Sequence, residues 1–527
     1  MIDTTKTLIK SFRGYLFGTA LSRIFGLVRD LLTAFFFGAS PYIASFMVAY
    51  RLANLMRRLL GESSLNASFI PHYEHLRVDN KKKSSEFYRD VFFTILVTIV
   101  AFIIISEILL FFVAGYVVEK DVIYLTQIML PGLLFICLYA VNSAILQCHK
   151  KHFLAAVAPL FFNLVWIFSV LNFNKLNEKT FIYILSISVV FAFVLQYLTT
   201  VNTSYEIIKD DLNSSEILKP KIFSQDIRNI FKSIVFSIIG IGAVQINSAL
   251  DGIFALFVNK SAPAHLWYSM RLYQVPISFF GVSVAAALLP PLTRAFQLND
   301  TENFKHFFNL SFKKCFSYMF FSTIAVFILG PAMINVIYGR GEFKIDSILN
   351  TLYSLYGYCS GLVFAAFVMI LSAVFYAKKE YFQPMIASVF AVIINLILNY
   401  IFIFQLKLHP ASIAYATSIS ELINFVCLLY FLNKNIKNFF EKRIFLYCIK
   451  NFVSIGFAAI VTIFLGDYLQ DPSILFLLKK IDYLPTRFLN QLISFASMLS
   501  IFTISHLIFA NLFKFKEILL FKKKAND

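Results

Sequence analysis

Fourteen apolar stretches of membrane-crossing length follow one another along the chain, and no other feature narrows the fold so far. They lie at roughly 15–37, 41–60, 92–118, 121–147, 152–173 and 180–205 and, after a polar segment at 206–228, at 229–259, 264–290, 311–337, 347–376, 383–405, 410–432, 444–466 and 486–513. About 20 apolar residues make a helix that spans the hydrocarbon core. Lipid accepts only helices or closed barrels, because backbone N–H and C=O groups find no water there. Barrel-type alternation is absent, so the expectation is an all-α polytopic membrane protein. The 527 residues are 59% hydrophobic and 14% charged, with a mean hydropathy of +0.74. Soluble domains average about 45–50% and ~25%. A cytosolic enzyme, a disordered chain and a secreted disulfide scaffold are excluded. The six cysteines form no CxxC and lie in or beside apolar runs, so they read as small buried hydrophobes rather than redox or metal groups. The first apolar run holds Arg23, Arg29 and Asp30 and has no small-residue cleavage site, so no cleavable signal peptide is expected.

Orientation follows from lysine and arginine, which are retained in cytoplasmic loops. With the N-terminus inside, 31 of the 47 Lys and Arg fall on the cytoplasmic side and 10 outside. Lys232, Lys313, Lys314, Lys450 and Arg487, near the ends of their spans, are counted with the adjoining loops, and the remaining 6 (Arg23, Arg29, Arg51, Arg57, Arg58 and Arg271) lie within spans. One miscounted span in the middle would destroy that bias, so both termini are expected in the cytoplasm. The net charge of +18 is largely this topological signal rather than a nucleic-acid surface. Lys81–Lys83 and Lys522–Lys524 read as anchors on an anionic leaflet.

The chain also matches itself at an offset of 220. Segment 51-RLANLMRRLLGESSLNASFIP-71 lies over 271-RLYQVPISFFGVSVAAALLPP-291, with Arg, Leu, Gly, Ser, Ala and Pro coinciding at six of 21 positions. Each copy is the second span of its half and runs from outside to inside, so the repeat is parallel. The expected organisation is an N-terminal lobe at 1–205, a cytoplasmic linker at 206–228 and a C-terminal lobe at 229–432. Residues 433–527 add two extra helices and a basic cytoplasmic tail. Transporters built this way hold substrate between the halves and rock them to alternate access.

An arginine at the bilayer centre costs about 2.5–3.5 kcal/mol, so each intramembrane arginine is a functional candidate. At ~1.5 Å rise per residue, Arg23, Arg29, Arg51, Arg57 and Arg271 are spread through most of the membrane depth. Asp30 and Glu62 are the acids near them, leaving the set net positive. Guanidinium forks suit a multiply charged oxyanion such as a diphosphate, which they bind bidentately. Other polar groups within spans include Asp251, Asn395, Asn399, Thr417 and Glu421. They form a candidate cation site for Na⁺ or H⁺, against the alternative of plain interhelical hydrogen bonds. His72, His75, His149 and His152 fall in expected loops at no ligand-like spacing, and no metal or cofactor is expected.

The runs 22-SRIFGLVRDLLTAFFFGAS-40, 51-RLANLMRRLLGESSLNASFIP-71, 269-SMRLYQVPISFFGVSVAAALLPPLTRAF-296 and 336-VIYGRGEF-343 resemble the MurJ (MviN) family of lipid II flippases across essentially the whole chain. The resemblance implies the multidrug/oligosaccharidyl-lipid/polysaccharide exporter fold, two lobes around a central cavity. It implies transfer of undecaprenyl-diphosphate disaccharide-pentapeptide to the outer leaflet of the bacterial inner membrane. It also implies Arg23, Arg29, Arg57 and Arg271 as diphosphate ligands, with Arg51, Asp30 and Glu62 as secondary cavity residues. Spans 13 and 14 would form a groove for the lipid tail, and cell-wall synthesis machinery would be a partner. Where similar proteins often carry acids, this chain has Ala44 and Met270, which leaves such a cavity more positive.

Three rivals are weighed. A drug exporter of cationic substrates would favour acids over five arginines. A flippase for another polyprenyl-diphosphate oligosaccharide, of O-antigen type, shares the diphosphate and stays open. A membrane enzyme acting on polyprenyl phosphates would need catalytic carboxylates or histidines at a leaflet surface. The longest connections, 72–91 and 206–228, are dominated instead by Lys, Asn and Ser.

Overall fold

The structure, a computed structural model, describes residues 5–55, 64–115, 119–222, 224–378, 380–435, 443–513 and 515. No strand occurs among them. The chain packs as two compact units, 1–253 and 254–527. Unit 1 comprises α1 (Thr5–Phe37), α2 (Pro41–Ala53), α3 (Ser64–Asp79), α4 (Lys81–Val113), α5 (Lys120–Met129), α6 (Gly132–Cys148), α7 (His152–Phe173), α8 (Glu178–Lys209), the short α9 (Ser214–Ile217) and most of α10 (Gln225–Val258). Unit 2 begins with α11 (Ala262–Pro276), which passes through a π-helical turn (Ile277–Val282) into α12 (Ser283–Gln297). It continues with α13 (Thr301–Tyr338), α14 (Ile345–Ser360), α15 (Leu362–Ala377), α16 (Phe382–Tyr400), α17 (Ser412–Asn435), α18 (Arg443–Tyr468), α19 (Pro472–Leu477) and α20 (Phe488–Leu512).

A helix or pair of helices runs through each of the expected apolar stretches. Among the described residues ten are long and apolar enough to cross a membrane, or eleven if α5 and α6, bent by 44° around Leu130–Pro131, form one span. The described parts of α1, α2 and α10 are helical as well, but are not among those ten or eleven.

Both units use one packing plan. In unit 1, α2 packs on α5, α6 and α7 on α8, α4 on α6, and α3 on both α4 and α6. In unit 2 the same relations, in the same chain order, join α11 to α14, α15 and α16 to α17, α13 to α15, and α12 to both α13 and α15. A parallel repeat requires this correspondence. Outside the plan, α18 and α20 pack on each other and on α13, around Ile328, Leu329, Ile455, Met498 and Phe502.

Unit 2 depends on a close helix approach. Gly357 and Gly361, in GxxxG spacing, face α17, where the Ser418 hydroxyl donates to the Gly357 carbonyl at 2.5 Å. A Cβ at Gly361 would lie 2.6 Å from the Ser418 Oγ and 2.7 Å from its Cα. Gly361→Leu is therefore expected to cost about 1–3 kcal/mol by overpacking. Thermal unfolding of the purified protein measures it, and an unchanged midpoint would contradict the close approach.

Two segments expected as connections are ordered. Residues 72–91 are almost wholly helical, and His72 and His75 lie inside α3 rather than in a loop. The break is confined to Asn80, whose Oδ1 caps α4 by accepting from the Lys82 and Lys83 amides. Hydropathy marks where a helix leaves lipid, not where it ends. The 206–228 connection is strapped to the start of α4. Buried Arg89 donates from Nη1 to the Glu216 carbonyl at 2.8 Å and from Nε and Nη2 to Asp90 Oδ1 at 2.9 and 2.7 Å. The same Asp90 oxygen accepts from the Lys221 amide at 2.9 Å, and Ser85 donates to Asp211 at 2.7 Å.

Nearby, His149 Nε2 meets the Tyr73 hydroxyl at 2.9 Å at the edge of the Phe69–Phe87–Tyr88 cluster. Burial, with Arg77 and Lys151 close by, pushes the imidazole from 6.5 down to about 4. In that window the unfolded chain binds a proton that the folded chain refuses, so stability is complete above the unfolded value and falls as pH drops through it. His149→Gln is expected to flatten the acid limb of the melting profile. An unchanged slope would assign the acid sensitivity to other groups.

Candidate functional site

The polar residues of the spans group differently in the two units. In unit 1, α1 carries Arg29 and Asp30 into the packing against α7, where both are buried, Arg29 at 6% exposure. Arg29 Nε and Nη2 donate to Asp30 Oδ1 at 3.0 and 2.7 Å, and Nη1 donates to Asn163 Oδ1 at 3.1 Å. Asn163 in turn donates to the Ser22 carbonyl at 3.0 Å, tying the two helices together. The guanidinium carbon lies 4.6 Å from the Trp166 ring and 5.8 Å from Phe162. Trp166 is itself fixed by an N–H donated to Thr33 Oγ1 at 3.1 Å and by edge contacts with Phe46 and Tyr50. This explains how an arginine is tolerated so deep: its charge is matched by an adjacent carboxylate, an amide oxygen and a π face.

Arg51, half-buried near the end of α2, donates from Nη1 to the Ser248 carbonyl on α10 at 3.0 Å. Asp251, one turn further along α10, is 1% exposed. Arg23 is exposed on α1. Arg57 and Glu62 lie outside the described residues.

In unit 2, Arg271 is half-buried on α11, with its guanidinium carbon 4.6 Å over the Trp267 ring one turn earlier. The stack engages the face of the guanidinium, whereas oxyanions are bound by its edge. The chain's two tryptophans thus each hold one of the candidate arginines. Asn395, Asn399 and Thr417 come together: Asn395 donates to Thr417 Oγ1 at 3.3 Å, and Asn399 donates to Asn395 Oδ1 at 2.8 Å. Both asparagines are buried. Glu421 lies one turn further on α17 and makes no hydrogen bond with the three. Among the described residues no group of three or more His, Cys, Asp or Glu could hold a metal ion.

Sequence reasoning missed Asn163, Trp166 and Trp267. The i, i+4 spacing of Trp267 and Arg271 was a readable signal for a stacked pair. Asn163 and Trp166, more than 130 residues from Arg29, gave none.

A repeated bundle of membrane-crossing helices with arginines built into its spans defines the class, a polytopic α-helical membrane protein. An inward-facing multidrug resistance MATE family transporter of the MOP superfamily shares the fold at a TM-score of 0.59 and 17% identity, covering 79% of this chain and 95% of that one. The chain belongs to the lipid II flippase MurJ family, whose model matches residues 33–483. It is 30% identical over 439 residues to the probable lipid II flippase MurJ of Chlamydia muridarum, covering 83% of this chain and 81% of that protein. With the probable lipid II flippase MurJ of Rickettsia prowazekii it shares 28% over 471 residues, covering 88% and 91%. A lipid II flippase MurJ in an inward closed conformation has a TM-score of 0.74 at 25% identity, covering 96% of this chain and 99% of that one.

Proposed function

We propose that this protein carries lipid II from the cytoplasmic to the periplasmic leaflet of the bacterial inner membrane by alternating access, with both termini in the cytoplasm. The observation that carries the reading is membership of the flippase family along residues 33–483. In this reading the diphosphate is held by Arg23, Arg29, Arg57 and Arg271, with Arg51, Asp30 and Glu62 setting the local charge. Stacking of Arg271 on Trp267 supports it, because a pre-oriented fork loses less freedom on binding an oxyanion, whereas Arg29 would have to exchange its contacts with Asp30 and Asn163 for the diphosphate. The polyprenyl tail lies along α18 and α20, whose outer faces present Phe445, Phe452, Ile460, Phe464, Ile493 and Ile508. A cation at Asn395, Asn399 and Thr417, or the membrane potential acting on the excess positive charge, resets the cycle. The potential is worth about 2.3 kcal/mol per charge per 100 mV.

Depletion in the native bacterium tests this. Lipid II is expected to accumulate in the inner leaflet, shielded from a headgroup probe added outside. Unchanged lipid II distribution with build-up of another polyprenyl-diphosphate oligosaccharide would overturn the substrate assignment.

A further inference from the structure

The face that α17 turns to α14 and α15 contains one residue its pattern does not call for. Ala414, Ser418, Phe425, Leu428 and Leu432 recur at three- and four-residue spacing, the period of a packed helix stripe. Ala414 and Ser418 meet Gly357 and Gly361, and Phe425 stacks near Phe364 and Phe367. Glu421 falls in the middle of this stripe. Among the described residues no hydrogen bond or ion pair reaches its carboxyl. No Lys or Arg occurs in α14, α15 or α16, and α17 itself has only Lys434 near its far end. The titratable groups around it are Tyr273 of α11, within electrostatic reach of Glu421, and Tyr358 and Cys359 of α14 beside that tyrosine. The α15 and α16 segments opposite it offer none, Asn395 being neutral, and Arg271 on α11 is stacked on Trp267.

A second observation points to a neutral carboxyl. Asn424 Oδ1, at i+3 on the same helix, is buried and accepts no hydrogen bond. A carboxylate at 421 cannot satisfy it, since both groups are acceptors, whereas a carboxylic acid at that spacing can donate to it. An ionised, unpaired carboxylate would also carry a desolvation penalty here, since Glu421 is half-buried between the buried Ser418 and Leu428.

We propose that Glu421 is a proton-binding site, neutral and donating to Asn424 while the seam is closed, and ionised when the seam admits water. The step is a single proton transfer: the Glu421 O–H bond breaks, a water molecule takes the proton, and the carboxylate keeps the electron pair. The site is separate from the Asn395–Asn399–Thr417 cluster, whose amide and hydroxyl groups do not titrate. Its consequence for transport, that a proton is a coupling ion, rests on the lipid II reading above.

The test has two arms on the full-length protein in liposomes. Infrared spectroscopy at neutral pH is expected to show a protonated-carboxyl band that disappears in Glu421→Gln and shifts in Asn424→Leu. Absence of the band, or its persistence in Glu421→Gln, overturns the proposal whatever the protein transports. The second arm measures translocation of labelled lipid II under an imposed pH gradient, which is expected to stimulate the wild type but not Glu421→Gln. Equal stimulation of both overturns the coupling. If the band behaves as expected but neither protein moves lipid II, the proton site stands and the substrate assignment falls.

Discussion

Replacing Arg29 with leucine is expected to destabilise unit 1 by about 3–5 kcal/mol, the usual penalty for stranding one member of a buried ion pair. Asp30 would keep its burial and lose the two N–H donors on its Oδ1. Asn163 would lose the Nη1 donor that helps pin α7 to α1. The double variant Arg29→Leu/Asp30→Leu removes both charges, and much of the stability should return, since apolar replacements of a buried pair are often neutral. Lipid II translocation should not return. Melting temperature and translocation measured on the same preparations separate the two roles. A double variant that transported at the wild-type rate would reduce Arg29 to a structural tie and remove it from the diphosphate site.

Arg271→Ala should weaken binding of lipid II by about 10–100-fold, the loss of one charge-assisted, bidentate contact. Little destabilisation is expected, because this arginine is half-buried and stacked on an aromatic face. Arg271→Lys should recover only part of the affinity, since an ammonium provides charge without the fork. Trp267→Ala should fall between wild type and Arg271→Ala, with the charge intact and its orientation lost. Direct binding of lipid II to the purified protein reads all three. Wild-type affinity in Arg271→Ala would exclude contact with the diphosphate.

What could be read in advance followed from the solvent. Lipid imposes helices, so each apolar stretch located a helix, and the repeat at 51–71 and 271–291 anticipated the shared packing plan. The i, i+4 spacing of Asn395 and Asn399 anticipated their contact. Arg29 and Asp30 are harder, because neighbours at i, i+1 on a helix point apart. Their pairing depends on Asn163 and Trp166 of α7, and no local pattern announces those partners. The continuity of α3 and α4 through 72–91 escaped for a different reason. Polar Lys, Ser and Glu signal departure from lipid but are adequate helix formers, and only Asn80 interrupts them.

The strap of residues 211–221 over the start of α4 makes a permissive-looking segment a poor site for engineering. Polar composition suggests a permissive position for an epitope tag or a protease site, yet insertion there would pull the Glu216 carbonyl from Arg89 and the Lys221 amide from Asp90. Two buried charges would then have to find other neighbours or be left to water.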